Sequence, residues 1–222
     1  MTSWLTFWQD LLEQMPMIAN GLFNTLLLAS VVSVTGLLLG IVVLYLSVSR
    51  YGWVRVVTKA YISFFIGMPL IVLLFLMYYG APQFGIRMSP FTVAVIGFTL
   101  NVAAYNAAYM STAYNGLDSS ELEAARAQGF SDLQVFRLIT LPQVLRTSIP
   151  ALTNQVISNI KDSSVAFLIQ YTEFFARVQE LASSNFQFFR AYLFAALVYL
   201  VLVSFVVLAA RLLQKRLGLN GV

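Results

Sequence analysis

Lys161 and Asp162 stand side by side in "SNIKDSSVA" (158–166), a polar interruption of an otherwise apolar chain. Ionisable groups at membrane depth are costly and usually face a bundle interior or a wetted cavity. That points to a place on a solute pathway for Lys161, Asp162 and the neighbouring Ser163. Adjacent opposite charges can also serve only to pair with neighbouring helices. Asn101, Tyr105 and Asn106 form a second polar group, in "LNVAAYNAA" (100–108). An asparagine in a span either contacts a solute or bonds to another helix. Catalysis has little to work with. The chain contains no histidine and no cysteine, so the commonest general base and the imidazole and thiolate metal ligands are missing. The nine acidic residues are scattered. No catalytic residue and no metal site are expected. No Gly-x-x-x-x-Gly-Lys-Ser/Thr loop is present to cradle a nucleotide. The longest basic run is Lys215–Arg216, so nucleic acid is not an expected partner.

The elements that hold these residues are membrane helices. Of the 222 residues, 59% are hydrophobic and 10% charged, with a mean hydropathy of +0.80. A soluble domain carries about 25% charged residues. A lipid bilayer is therefore the expected surrounding, and the fold class is an all-α integral membrane protein. Five spans are expected: 22–46, 60–79, 91–114, 147–171 and 191–210. The fourth is the least apolar. Gly36 and Gly40 in the first allow another helix to approach closely, and Pro69 in the second is expected to kink it and shape a gate. Residues 1–20 place Trp4, Phe7, Trp8, Leu11 and Leu12 on one face, which suits an amphipathic helix in the membrane interface or one packed on the bundle. That start lacks the basic region of a cleavable signal peptide. Residues 21–215 then form the transmembrane domain and 216–222 a tail. Lys and Arg gather in the loop after span one, in 115–146 and at the C-terminus. The positive-inside rule puts these three on the cytoplasmic side and the N-terminus outside.

The segment 119–142 is polar. Ser120 with Glu123 and Ser131 with Gln134 match the capping-box spacing. Gly129 is placed to end a first helix at a left-handed C-cap, and Pro142 to end or kink a second. A helical hairpin is expected, with Leu133, Phe136 and Ile139 among its charges.

Glu123-Ala124-Ala125, Gly129 and Ile139-x-Leu141-Pro142 match, at seven positions, the "EAA" signature of membrane subunits of bacterial ATP-binding-cassette (ABC) importers. "YYGAPQFGI" (78–86), "LNVAAYNAA" and "IKDSSVA" further resemble the branch that takes up polar amino acids, the histidine-, glutamine- and cystine-type permeases. The resemblance spans about residues 20–215. It implies a type I importer permease in the bacterial cytoplasmic (inner) membrane, moving amino acids or related small polar solutes. Its implied partners are an ABC ATPase dimer gripping the hairpin, a second permease subunit and an extracytoplasmic substrate-binding protein. ATP and Mg would be bound by the ATPase, with no cofactor in this chain. Glu123 would anchor the hairpin, and Gly129 would allow close backbone approach. The chain departs from the branch where Ile66, Ala108 and Ser111 stand in place of arginine, glutamate and arginine. That departure favours a heterodimer over a homodimer. The alternative is an ion-gradient-driven secondary transporter or channel using Lys161 and Asp162, although five spans without an internal repeat do not divide into two halves.

Overall fold

The computed structural model of the chain describes residues 4–216, so the expected tail lies, from residue 217 on, outside the described residues. All regular structure among them is helical: α1 (Trp4–Ser47), α2 (Gly52–Gly67), α3 (Leu70–Phe75), α4 (Pro90–Asn115), α5 (Ser119–Ala127), α6 (Asp132–Val135), α7 (Leu141–Asp162), α8 (Phe174–Asn185) and α9 (Phe188–Arg216). Two π turns, Leu76–Gly80 and Phe136–Thr140, and two 3₁₀ segments, Ala81–Phe84 and Ser163–Ile169, complete it. The chain divides into two compact units. One is drawn from Met1–Val32, Leu70–Gly97 and Val156–Val222, the other from Ser33–Pro69 and Phe98–Gln155.

In the first unit, the boundary expected near residue 20 is absent: α1 runs unbroken for 44 residues. No charge interrupts it after Glu13 and Pro16 does not stop it, so nothing separates an interfacial helix from the span. Its early turns pack rather than lie free. Phe7, Leu11 and Ile18 are buried against Phe174, Val178 and Leu181 of α8 and Ala191 and Ala195 of α9. Trp4, Trp8 and Leu12, expected on the same face, remain exposed. Glu173 caps α8 from a fully buried position, accepting from the backbone N–H groups of Phe175 and Ala176 and from the Thr25 hydroxyl. The seven-residue 3₁₀ segment is long for its kind. It replaces the last third of the expected fourth span, because α7 ends at Asp162.

In the second unit, close packing of α1 on α4 bears out the reading of Gly36 and Gly40. A Cβ on Gly36 would lie 2.6 Å from Val102 Cγ1, and one on Gly40 2.9 Å from Asn106 Cβ. Without a hydrophobic drive between helices in lipid, such contact relies on dispersion, which needs this proximity. The basic stretch after α1 is not a loop throughout, since α2 starts at Gly52 and carries Arg55 and Lys59. Nor is Pro69 a mere kink. α2 stops at Gly67, and Met68, restrained by the proline after it, is extended at φ −93°, ψ 130°.

Among the described residues three helices are long and apolar enough to cross a membrane, α1, α4 and residues 188–212 of α9, or four if the interrupted pair Gly52–Gly67 and Leu70–Phe84 is one span. The remaining expected span, the fourth, rests on α7, whose 22 residues suffice in length but carry Asn154, Gln155, Asn159, Lys161 and Asp162.

Candidate coupling hairpin and polar pathway residues

The hairpin forms as its sequence demands, with one correction at its start. Asp118, not Ser120, is the N-cap of α5, and its carboxylate accepts the Ser120 backbone N–H at 2.9 Å. That bond holds the Asp118 carboxyl below the usual carboxylate range. α5 closes in a Schellman motif: Gly129 N–H donates to Arg126 C=O and Phe130 N–H to Ala125 C=O. Gly129 lies at φ +90°, the conformation that only glycine adopts without cost. Ser131 and Gln134 make the expected capping box in both directions, at 3.4 and 2.8 Å. Pro142 ends nothing. The helix passes into α7 through the π turn, where Leu141 N–H reaches back five residues to Phe136 C=O. The wider turn accommodates a proline that has no N–H for the carbonyl four residues earlier. A π turn precedes Pro82 in the same way, closed by Ala81 N–H on Leu76 C=O.

The signature residues divide into two sets. Ala125 is buried with Leu122 and Val135, and Ile139 packs against that cluster. Leu141 packs on a second cluster of Leu44, Met110, Phe136 and Val144. Glu123, Ala124, Gly129 and Pro142 are exposed. The apolar surface also differs from the sequence expectation. Phe136 is interior, its ring 4.9 Å from that of Tyr45, and the outward apolar residues are Phe130, Leu133 and Leu138.

Among the pathway candidates of the same unit, Asn101 has a defined task. Its Nδ2 donates to Phe65 C=O at 2.8 Å. Phe65 is four residues before Pro69, so this is the carbonyl that the proline cannot serve. Tyr61 hydroxyl adds a bond to Leu100 C=O at 2.7 Å. Together they pin the broken end of α2 to α4. Asn106 is buried against Gly40, with Oδ1 unpartnered among the described residues. Tyr105 is half-buried, its ring 6.3 Å from that of Tyr109. In the other unit, Lys161 and Asp162 are exposed where α7 gives way to the 3₁₀ segment. Ser163 is turned inward, donating to Ile160 C=O. That segment is tied to the π turn after α3 by Tyr79 hydroxyl on Leu168 C=O and Tyr78 hydroxyl on Gln170 Oε1.

Residues 33–219 match the family described as "Binding-protein-dependent transport system inner membrane component". The chain belongs to this family. It is 39% identical over 192 residues to "Probable amino-acid ABC transporter permease protein PatM" of Vibrio harveyi, covering 85% of this chain and 86% of that one. It is 32% identical over 211 residues to "L-cystine transport system permease protein TcyB" of Bacillus subtilis, covering 94% and 90%. A solved structure titled "Crystal structure of an amino acid ABC transporter with histidines" superposes with a TM-score of 0.85 at 26% identity, covering 97% of this chain and 99% of that one. At 18% identity and a TM-score of 0.74, a MetNI methionine ABC transporter shares the fold.

Family membership makes the chain a permease subunit of an ABC importer in the membrane, with ATP hydrolysis in a separate subunit. The gradient-driven alternative is set aside on that ground. Sequence reasoning missed three residues. Asp118 was legible as an acid two residues before Ser120, the spacing of an Asx-type cap. Tyr61 left no such signal, because its partner lies 39 residues away. The Glu173 cap is local, to residues two and three on, and only its bond to Thr25, 148 residues away, lay beyond sequence reading.

Proposed function

We propose that this chain carries amino acids or related small polar solutes into the cytoplasm as one of two permease subunits of an ABC importer. The observation behind this reading is the hairpin, whose signature residues split into an interior set that holds it and an exposed set around Gly129. An ATPase dimer, binding ATP and Mg itself, docks on Glu123, Ala124, Gly129 and Pro142. An extracytoplasmic binding protein delivers the solute. The N-terminus is outside, residues 115–146 are cytoplasmic, and α7 is the fourth of five spans. The names of the amino-acid permeases among its relatives support the substrate class.

Asn101, Tyr105, Asn106, Lys161, Asp162 and Ser163 line the route, and Pro69 shapes its gate. Two of these residues suit the role for a stated reason: Asn106 presents an unpartnered buried acceptor, and Asp162 an exposed carboxylate at a helix transition. Ile66, Ala108 and Ser111 give an amino acid no charged partner here, so a heterodimer whose sister subunit keeps those charges is the preferred arrangement. The test is reconstitution of this chain as the only membrane subunit, with its ATPase and binding protein, against a panel of amino acids. ATP-driven uptake is expected only when the sister subunit is added. Uptake without it overturns the heterodimer, and uptake of no amino acid under either condition overturns the substrate class.

A further inference from the structure

A cavity of about 870 Å³ opens between the α1–α2 connection and the hairpin, within a single unit. Its floor is apolar, with Tyr45, Leu122 and Phe136 among its lining, and its rim carries Arg50, Arg55 and Arg126 against the single carboxylate of Asp132. That pairing is weak, since Arg126 Nε lies 3.7 Å from Asp132 Oδ1 and both side chains are more than half exposed. The rim therefore keeps a formal charge of +2 from its three arginines and one acid.

The connection is pre-ordered. Arg55 Nη1 donates to the carbonyls of Ser49 and Arg50, while Arg50 stacks over the Tyr51 ring at 4.9 Å and donates to its hydroxyl. Guanidinium forks held around a concave site match the geometry of a phosphate group. From this rim an apolar stripe of Trp53, Val56, Val57 and Phe64 continues along α2, each more than half exposed. Trp and Arg at one helix end mark the level of the headgroups.

We infer that this cavity is a binding site for a phosphate group, supplied by an anionic phospholipid whose acyl chains lie along the α2 stripe. The same arginines accept inorganic phosphate if the lipid is not the source. The hairpin supplies one wall of the cavity, but Glu123, Ala124, Gly129 and Pro142, the residues given above to the ATPase, are not in its lining.

The test reads Trp53 fluorescence of the full-length chain in vesicles, taking the difference between the native protein and Trp53→Phe to isolate that residue. Quenching by brominated phosphatidylglycerol is compared with quenching by brominated phosphatidylcholine. A preference of about fivefold or more for the anionic lipid is expected. It should vanish in Arg50→Gln/Arg55→Gln/Arg126→Gln and persist in the charge-matched control Arg137→Gln/Arg211→Gln/Lys215→Gln. In phosphatidylcholine alone, inorganic phosphate is titrated at constant ionic strength. A saturable response in the native chain but not in the triple variant, without lipid preference, assigns the site to free phosphate. Equal quenching by both lipids with no phosphate response overturns the inference. So does a preference that survives the triple substitution. A preference abolished when the ATPase subunit docks would give the arginines to the protein interface and also overturn it.

Discussion

Replacing Asn101 with alanine is expected to loosen the broken end of α2, by an amount set by one carbonyl. Phe65 C=O is refused an intrahelical partner by Pro69 and accepts from Asn101 Nδ2 at 2.8 Å instead. Leaving a buried acceptor unpaired costs about 1–3 kcal/mol in proteins generally. Hydrogen bonds between membrane helices average about 0.6 and reach about 1.7 kcal/mol. A loss of about 1 kcal/mol follows for Asn101→Ala. The second half of the cycle is Pro69→Ala, which restores an N–H at position 69 and frees Met68 from its extended conformation. In that background Phe65 C=O regains a backbone donor, so Asn101→Ala should cost almost nothing. Unfolding of the four proteins in mixed detergent micelles measures the coupling directly. Strict additivity would refute the assignment of Asn101 to this carbonyl.

Four further outcomes follow. Gly129→Ala should destabilise the hairpin by about 1–2 kcal/mol through backbone strain alone, because a Cβ there meets nothing within 4 Å. Gly129→Asn should cost less, and hydrogen exchange of the 125–135 amides reads both. Ser131→Ala should cost about 1 kcal/mol at the start of α6 by the same assay. Gly36→Leu should disrupt α1 against α4, since even a Cβ would press to 2.6 Å on Val102, and reduced yield of folded protein measures it. The Asp118 carboxyl is held low by its cap bond, so the stability it lends is present above the ordinary carboxylate pKa. It is lost as pH falls through the depressed folded value. Acid should therefore fray α5 from its first turn, and Asp118→Asn should remove that pH dependence.

The local features were legible because their causes are local. The capping box, the Schellman glycine and the Gly36/Gly40 approach each depend on a few residues at fixed spacing. What the sequence could not show was how helices answer one another over distance. Pro69 announces a carbonyl without a donor, but not that Asn101, 32 residues on, supplies one. Trp4, Trp8 and Leu12 share a helical stripe with Phe7 and Leu11, yet α8 and α9 cover only part of that stripe. Pro142 reads as a helix end because π turns have no composition of their own.

That π turn also fixes an angle. Successive residues of an α-helix are rotated by about 100°, and a π turn stores one residue more than the α-helical path requires. Deleting one residue from Phe136–Thr140 would let the segment relax to an ordinary helix with α5 and α6 facing nearly as before, whereas deleting one from the regular first turns of α7 would turn them by about 100° about its axis. The Schellman motif and both caps of the hairpin, all formed from residues 118–134, would travel with it intact. Changes of length in the regular turns of α7 therefore re-aim the proposed docking surface, the π turn can absorb one, and changes of side chain alter its grip.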